Sequence, residues 1–340
     1  MPRDSSVKYI LGVETSCDDT AVAVLDSGER IVSNVVNSQH DIHARFGGIV
    51  PELASRRHIE NIVPIYQAAL AEAGLVLDDI SLVTATQGPG LVGSLLVGYN
   101  FARALAMAKG IPFVGVDHMT GHILSAFLEE EKPGFPYIAL IVSGGTSSLF
   151  LVADDCEFRH LGHTRDDAAG EAFDKVAKLL DLGYPGGPVV AKMAESGAPK
   201  AIAFPRSWLT DDSLDFSFSG LKTAVLQYCR AWRRAEPLPR ADICASFQEA
   251  IVEVLTLKTI QAARIHHVKN IVLGGGVTAN HSLRKRMALL CQENGLRLYH
   301  PRPGYCTDNA AMIALSGWRK YRRYGATPLT EDVYSRCNLG

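Results

Sequence analysis

Two histidines and one aspartate have side chains that could bind a divalent metal. His118 and His122 stand four residues apart in the segment Asp117-His118-Met119-Thr120-Gly121-His122, and residues at that spacing share one face of a helix. Asp308 lies in the segment Cys306-Thr307-Asp308-Asn309. Two imidazoles and a carboxylate leave coordination positions free for substrate, which favours Fe(II), with Zn(II) as the alternative. The pattern also allows a structural interpretation, in which His118 caps a helix and Asp308 is the N-cap of the last one.

Three further segments could bind an anion or a nucleoside. The turn Val142-Ser143-Gly144-Gly145-Thr146 could bring backbone amides close to a phosphate or carboxylate, although a tight hairpin needs the same residues. Gly274-Gly275-Gly276 could form a cradle before a helix, and Asn280 could bond a sugar or base edge. Asp174 is either an exposed helix charge or an acceptor for ribose hydroxyls, with Gly187 offering its backbone to the nucleoside.

Two halves of the chain share one order of predicted elements. Ile10 to Asp26 and Ile138 to Asp154 each indicate a strand, a polar turn and a second strand of the same length. In each half a strand, a glycine turn, a helix and a final strand follow. The later predicted strands cover 82–86, 111–116, 270–273 and 297–300, and the predicted helices cover 51–74, a segment ending at 108, 121–130, 168–180, 241–266 and 281–293.

This repetition predicts an α/β protein built from two duplicated lobes, with equivalent ends facing each other across a cleft. We place the first lobe at residues 1–121, completed by a C-terminal helix at 308–325, and the second at 122–307. His118 and His122 would then follow a strand of the first lobe, and Asp308 the equivalent strand of the second. Ligands of open α/β sheets bind at the carboxyl ends of strands, so all three should converge in the cleft.

Length, charge and cysteine content limit the class of protein. A chain of 340 residues fits two domains. The net charge of −2 excludes a global basic field, so any contact with RNA requires a local patch or a partner subunit. Seven cysteines without a C-x-x-C pair indicate reduced thiols and a cytoplasmic location. No signal peptide or membrane span is expected.

Taken together, these motifs resemble the tRNA threonylcarbamoyladenosine transferase family of the bacterial TsaD type, once described as endopeptidases. The resemblance covers almost the whole chain, through the segments GVETSCDDT, DHMTGH, VSGG, GEAFDK, YPGGP, FSFSGLKTA, GGGVTAN and CTDNAAMIA. It implies a two-lobed, actin-like (ASKHA, ribonuclease H-like) α/β fold with its active site in the cleft between the lobes. Such a fold agrees with the duplication.

The family's activity would follow from this resemblance. The threonylcarbamoyl group would pass from threonylcarbamoyl-AMP to the exocyclic amine of the adenosine 3′ of the anticodon, in tRNAs that read codons beginning with A, with release of AMP. One divalent metal, preferably Fe(II), would orient the donor and polarise its carbonyl. By motif, the metal ligands would be His118, His122 and Asp308, and the adenylate would be bound by Ile141, Val142, Ser143, Gly144, Gly145, Asp174, Gly187 and Asn280.

The resemblance also implies partners, namely tRNA, an inactive actin-like paralogue and a small P-loop ATPase, with no membrane. The chain departs from the family pattern in two places. Thr146-Ser147 replaces the usual His-Thr, and Ala191 replaces an aspartate found in many members. An active enzyme is expected, because the metal ligands are intact. The alternatives are an ATP-dependent kinase of the same fold, a metallopeptidase, disfavoured by the missing catalytic glutamate, and a nucleotide-binding scaffold.

Overall fold

Two compact units make up the structure, a computed structural model that describes residues 7–208, 212–232 and 237–336. The first unit comprises Met1–Lys132, Asp154–Glu157 and His300–Gly340, apart from the undescribed ends, and the second comprises Pro133–Ala153 and Phe158–Tyr299. The strands are β1 Tyr9–Glu14, β2 Asp19–Asp26, β3 Ile31–Ser38, β4 Ile80–Gly88, β5 Phe113–Asp117, β6 Tyr137–Val142, β7 Ser147–Asp154, β8 Glu157–His163, β9 Asn270–Gly274 and β10 Arg297–Tyr299.

Eleven α-helices accompany these strands within the described ranges. They are α1 His40–Ala44, α2 Pro51–Ala73, α3 Val92–Lys109, α4 His118–Leu124, α5 Ala169–Leu179, α6 Gly186–Ala194, α7 Ser219–Ala231, α8 Arg240–Ile265, α9 His281–Glu293, α10 Pro303–Cys306 and α11 Ala310–Tyr324. Short 3-10 turns lie at Leu77–Asp79, Ser125–Leu128 and Gly276–Ala279. In the part of the chain that the structure describes, no helix is both long and apolar enough to cross a membrane.

The two sheets have the same topology. The first runs β3-β2-β1-β4-β5, and the second, read from its other end, runs β8-β7-β6-β9-β10. The central strand of the first sheet, β1, is antiparallel to β2 and parallel to β4. The central strand of the second sheet, β6, is antiparallel to β7 and parallel to β9. The duplication predicted from the two strand-turn-strand segments is therefore confirmed.

The boundary of the first unit differs from the sequence-based one, because residues 122–132 and 300–307 also belong to it. Helix α4 runs through position 121, so a boundary there would cut a hydrogen-bonded element. In addition, the guanidinium of Arg302 donates to both carboxylate oxygens of Glu129, from Nε at 3.2 Å and from Nη2 at 3.1 Å to Oε2. This pair connects the segment before α10 to the segment after α4.

Helix α4 itself begins earlier than predicted. The sequence placed a helix at 121–130, whereas α4 starts at His118, directly after β5, and ends at Leu124 before the 3-10 turn. The side chain of Asp117 caps it, because Oδ1 accepts hydrogen bonds from the amides of Met119 at 2.8 Å and Thr120 at 3.3 Å. Both histidines of the predicted metal site therefore lie on one short helix at the carboxyl end of a strand.

Helix α11 packs closely on the first sheet. A methyl group added at Gly12, in β1, would overlap the carbonyl oxygen of Ala310 and the side chain of Ala314. One added at Gly317 would meet Thr84 of β4. Glycine at these two positions lets the helix approach the sheet, and this contact fixes the segment just before α11, which contains Asp308.

Candidate metal centre and nucleotide-binding surface

His118, His122 and Asp308 come together in the first unit. Oδ1 of Asp308 lies 3.2 Å from Nε2 of His122 and 3.5 Å from Nε2 of His118. One ligand atom from each residue lies within 4.8 Å of the other two, and no other such group occurs in the described ranges. The two rings are nearly perpendicular, with centroids 4.7 Å apart. The three residues come together as predicted. Asp308 follows β10, a strand of the second unit, but belongs to the first unit with the histidines, in agreement with the placement of 308–325 in the first lobe.

Neither structural alternative for these residues holds. The cap of α4 is Asp117, and His118 is the first residue of that helix. The cap of α11 is Asn309, whose Oδ1 accepts from the amide of Met312 at 3.0 Å. Asp308 is thus left with its carboxylate directed at the imidazoles.

A buried carboxylate supports His118 from behind. Oε2 of Glu14, a fully buried residue at the end of β1, lies 3.0 Å from Nδ1 of His118. Glu14 also accepts hydrogen bonds from the amide of Ser16 and the hydroxyl of Thr86. A metal-binding histidine usually donates a hydrogen bond from the N–H of its second ring nitrogen to such a group. This bond fixes the orientation of the ring and raises the basicity of the imidazole. In the sequence, Glu14 lies in the segment GVETSCDDT, which carries part of the family resemblance.

The charges of this cluster stabilise one another. Burial alone would lower the pKa of His118, but the carboxylates of Glu14 and Asp308 outweigh it and hold that pKa well above its usual value. Burial would likewise raise the pKa of Asp308, yet His118 and His122 lower it. A metal would displace the proton that this pair holds, because histidine binds metals in its neutral form. An ionised carboxylate and two imidazole nitrogens then match the donor set that Fe(II) and Zn(II) prefer. The residues present therefore fit a divalent metal, and the partial exposure of Asp308 leaves room for another ligand.

Asp18, in the turn between β1 and β2, is also buried. Its Oδ2 lies 3.8 Å from Nδ1 of His40, beyond hydrogen-bond distance, and has no hydrogen-bond partner among the described residues. Burial raises the pKa of its neighbour Asp19 to about 7, and the negative charge of Asp308 adds to this shift.

The glycine turns lie in the second unit and are packed against each other. Gly275 has φ +86°, and a side chain there would overlap the backbone of Val142. The amide of Gly170, in the first turn of α5, donates to the carbonyl of Ser143 at 3.2 Å. Gly144 and Gly145 face open space, since a methyl group added at either would find no atom within 4 Å. The turn after β6 therefore presents an uncovered backbone, as an anion-binding turn requires.

Ile141 and Val142 differ from the rest of this predicted set. Both lie in β6 with fully buried side chains, so their side chains contribute to the core and leave only backbone for a ligand. Of the two departures from the family pattern, Ser147 has a structural role, because its Oγ accepts from the amide of Ala169 at 2.9 Å. Nothing in the structure assigns a role to Ala191.

Asp174 is more than an exposed helix charge. Its Oδ1 accepts from the amide of Gly186 at 2.7 Å, and this bond joins α5 to the first residue of α6. Gly187, the next residue, faces open space. The aspartate and the glycine proposed to contact the nucleoside are therefore held next to each other.

Asn280 has a different local role from the one expected. Its Oδ1 caps α9 by accepting from the amide of Leu283 at 3.1 Å, and its Nδ2 donates to Oε1 of Gln248 at 2.7 Å. A 3-10 turn separates the three glycines from α9, so they do not lie directly at the helix N-terminus. Sequence reasoning missed Gln248, which orients Asn280 from a distant helix and which no local pattern indicates.

Comparison with known proteins agrees with these motifs. Residues 30–315 match the family described as TsaD, tRNA N6-adenosine threonylcarbamoyltransferase. A protein of that name from Desulfotalea psychrophila is 57% identical over 97% of this chain and 97% of its own length. Another, from Desulforapulum autotrophicum, is 51% identical over 97% of this chain and 99% of its own length.

Solved structures of low sequence identity share the fold. Full-length HypF in its phosphate- and nucleotide-bound form has a TM-score of 0.64 and 13% identity, over 95% of this chain and 57% of that one. Component A of (R)-2-hydroxyglutaryl-CoA dehydratase from Acidaminococcus fermentans has a TM-score of 0.54 and 16% identity, over 92% of this chain and 98% of that one. These likenesses show the two-lobed actin-like α/β fold alone. The family match and the relatives of high identity show that the chain belongs to the TsaD family of tRNA N6-adenosine threonylcarbamoyltransferases and is a transferase that acts on tRNA.

Proposed function

We propose that this enzyme takes the threonylcarbamoyl group from threonylcarbamoyl-AMP and transfers it to the adenosine 3′ of the anticodon in tRNAs that read codons beginning with A. In this reaction the exocyclic amine attacks the carbamoyl carbon. The bond from that carbon to the phosphate oxygen breaks, AMP leaves with the electron pair, and the amine loses one proton. The observation that carries the proposal is the His-His-Asp cluster, found in a chain of this family.

His118, His122 and Asp308 would hold one divalent ion, preferably Fe(II), with Zn(II) as the alternative. When bound, such an ion supplies Lewis acidity that polarises the donor carbonyl. Glu14 fixes the ring of His118 by binding Nδ1, so that Nε2 faces Asp308.

The adenylate half of the donor would be bound by the second unit. Backbone amides of Gly144 and Gly145 would bind the phosphate, because the two glycines leave that face of the turn uncovered. The amide of Ser143 donates to the carbonyl of Thr146 at 2.8 Å, so Ser143 would contact the phosphate through its hydroxyl. Asp174 would accept hydrogen bonds from the ribose hydroxyls, and Gly187 would lie against the nucleoside. Ile141 and Val142 would contribute backbone, and Asn280 would act from its position as the cap of α9.

An actin-like paralogue and a small P-loop ATPase would assist the reaction in the cytoplasm. Two observations support dependence on partners. The net charge of −2 provides no global attraction for tRNA. On α2, Ile59 and Val63 are 65% and 46% exposed and share one helix face, while Ile62 and Leu70 are buried in the unit. This exposed apolar face of α2 is where we place the paralogue.

The test is formation of threonylcarbamoyladenosine in unmodified tRNA, measured by nucleoside mass spectrometry. Unmodified tRNA would be incubated with threonylcarbamoyl-AMP, the partner proteins and either the wild-type protein or His122→Ala. An exposed histidine of the second unit, changed in His163→Ala, serves as the matched control. We expect product from the wild type and the control and none from His122→Ala. Absence of product from the wild type, with partners shown to be competent with another family member, would refute the proposal.

A further inference from the structure

The chain after α11 is bound to the first unit along its length. The amide of Thr327 donates to the carbonyl of Phe113 at 2.8 Å, and the hydroxyl of Thr327 accepts from the amide of Gly115 at 3.0 Å. Further along, Nη1 of Arg103 donates to the carbonyl of Leu329 at 2.9 Å. We call residues 325–336 the C-terminal strap. It lies against β5 and α3, which gives a segment without regular secondary structure a fixed course.

The strap ends on the glutamine-glycine pair that closes β4. Nε2 of Gln87 donates to the carbonyl of Asp332 at 2.9 Å, and the amide of Tyr334 donates to the carbonyl of Gln87 at 3.0 Å. A methyl group at Gly88 would overlap the carbonyl oxygen and the ring of Tyr334. The segment Gln87-Gly88 is thus shaped to receive this tyrosine, a role that neither the metal site nor the nucleotide surface explains.

From this position Tyr334 reaches the cap of the metal-bearing helix. Its hydroxyl donates to Oδ2 of Asp117 at 2.7 Å, while Oδ1 of the same carboxylate caps the amides of Met119 and Thr120. One carboxylate thus joins the strap to the first turn of α4. His118 follows Asp117 directly, and His122 lies one turn further along the same helix.

We propose that Tyr334 is a positioning residue for the metal site, acting through Asp117 to fix the orientation of α4 and so of both histidines. The inference rests on the metal site proposed above. A carboxylate held at both oxygens cannot rotate away from the amides, so the helix start is fixed more firmly than a cap alone would fix it. Loss of the tyrosine hydroxyl should therefore loosen the histidine pair while leaving the strap in place.

The matched variants are Tyr334→Phe and Tyr99→Phe. The first keeps the ring on Gly88 and removes only the bond to Asp117. The second removes a tyrosine hydroxyl that donates to the same strap, at the carbonyl of Glu331 and 3.4 Å, but has no bond to Asp117. A role limited to holding the strap would make the two variants alike. If Tyr334 positions the metal site, only Tyr334→Phe should change that site.

The first measurement is Co(II) binding, followed by the visible absorption of the bound ion, which reports ligand geometry. We expect about a tenfold loss of affinity and an altered spectrum for Tyr334→Phe, the lower end of the effect of residues that orient metal ligands, and no change for Tyr99→Phe. Asp117→Ser keeps a helix cap but has no second oxygen for Tyr334. It should match Tyr334→Phe, and the double variant should be no worse than either.

The second measurement uses metal-free protein, so that the inference is tested even if the metal proposal fails. Hydrogen exchange at the amides of Met119 and Thr120 should be about fivefold faster in Tyr334→Phe, because the cap opens more often, and unchanged in Tyr99→Phe. Absence of saturable Co(II) binding by the wild type would refute the proposed metal site. The positioning role alone would be refuted if Tyr334→Phe bound Co(II) and exchanged its amide hydrogens like the wild type. It would also be refuted if both tyrosine variants lost the same Co(II) affinity.

Discussion

At the scale of single residues, the metal cluster depends on a carboxylate that touches no metal. Glu14 is fully buried and has its two oxygens shared among Ser16, Thr86 and His118. A buried charge is retained only where partners compensate its desolvation. Here the partner of interest is Nδ1 of His118, the nitrogen that faces away from Asp308.

Glu14→Gln should lower the affinity for Co(II) or Zn(II) by about 10- to 100-fold, because a neutral amide orients the imidazole less well and makes it less basic. The fold should be kept, since glutamine has the same shape. The check is a metal titration beside Glu29→Gln, which changes a partly buried glutamate of the first unit that is paired with Arg319 and not with the metal cluster. Equal affinities for the two variants and the wild type would show that Glu14 has no influence on the site.

Gly187 allows an equally specific test of the nucleotide surface. Gly187→Ala should bind AMP about tenfold less tightly, because the added methyl group occupies space that only a ligand would need. Gly187 and Gly220 are each the second residue of a helix in the second unit, and neither would bring a methyl group within 4 Å of protein. Calorimetric titration with AMP should therefore find Gly220→Ala unchanged. A weakened Gly220→Ala would mean that the loss is not local.

At the scale of elements, most of the arrangement followed from the sequence. The hydrophobic periodicity and the positions of the glycines predicted most strands and helices that carry the candidate sites, with α9 at 281–293 as predicted. Helix α6, which carries Gly187, was missed. Strands β3 and β8 were missed, because as edge strands they show weaker apolar patterns, with several exposed positions. The helix start at His118 was missed because its cap, Asp117, was counted as part of the metal motif.

What could not be predicted depends on contacts far apart in the chain. Asp117 bonds Tyr334, and Asn280 bonds Gln248, and no local spacing encodes either pair. Asp308 illustrates the same limit. It follows β10, a strand of the second unit, whereas the packing of α11 on Gly12 places the segment just before that helix in the first unit.

A buried ion cluster around α11 shows how elements of the first unit are connected. Arg319, with a side chain only 7% exposed, donates from Nε and Nη2 to the two oxygens of Glu29 at 2.8 Å each. It also donates to Asp155, at the tip between β7 and β8. The cluster therefore joins the turn after β2, the last helix and that tip.

Glu29→Gln should lower the stability of the protein at pH 7 by about 2 kcal/mol, the usual worth of hydrogen bonds to a charged group. Burial would raise the pKa of Glu29, but Arg319 and Lys132 outweigh it and hold the pKa below its ordinary 4.5. A lowered pKa stabilises the fold above that value, and the contribution disappears as pH falls through the folded-state pKa. Urea unfolding of both proteins should show the difference at pH 7 and lose it progressively below pH 4.5. A difference independent of pH would refute an ionic role.

At the scale of the whole molecule, one topology appears twice, yet the two copies carry different chemistry. The first has imidazoles and carboxylates at the end of β5 and before α11, and the second has open glycine turns after β6 and at α6. In the shared strand order β6 corresponds to β1 and β10 to β5, so the two copies use different positions of one topology for their chemistry. The fold is thus predictable from repetition, while the function has to be argued from each site separately.

Because the two units carry different chemistry, we expect Co(II) and AMP to protect different parts of the chain from hydrogen exchange. Ligand binding slows hydrogen exchange most where it restricts local opening. Co(II) should therefore protect the peptides containing β1, α4 and the segment before α11, and AMP should protect those containing the β6–β7 turn, α5 and the start of α6. Exchange followed by mass spectrometry on the full chain gives both maps, and His122→Ala should abolish the first while leaving the second. Protection of the glycine turns by Co(II) alone, or loss of AMP protection in His122→Ala, would show that the sites are coupled and that neither unit binds its ligand independently.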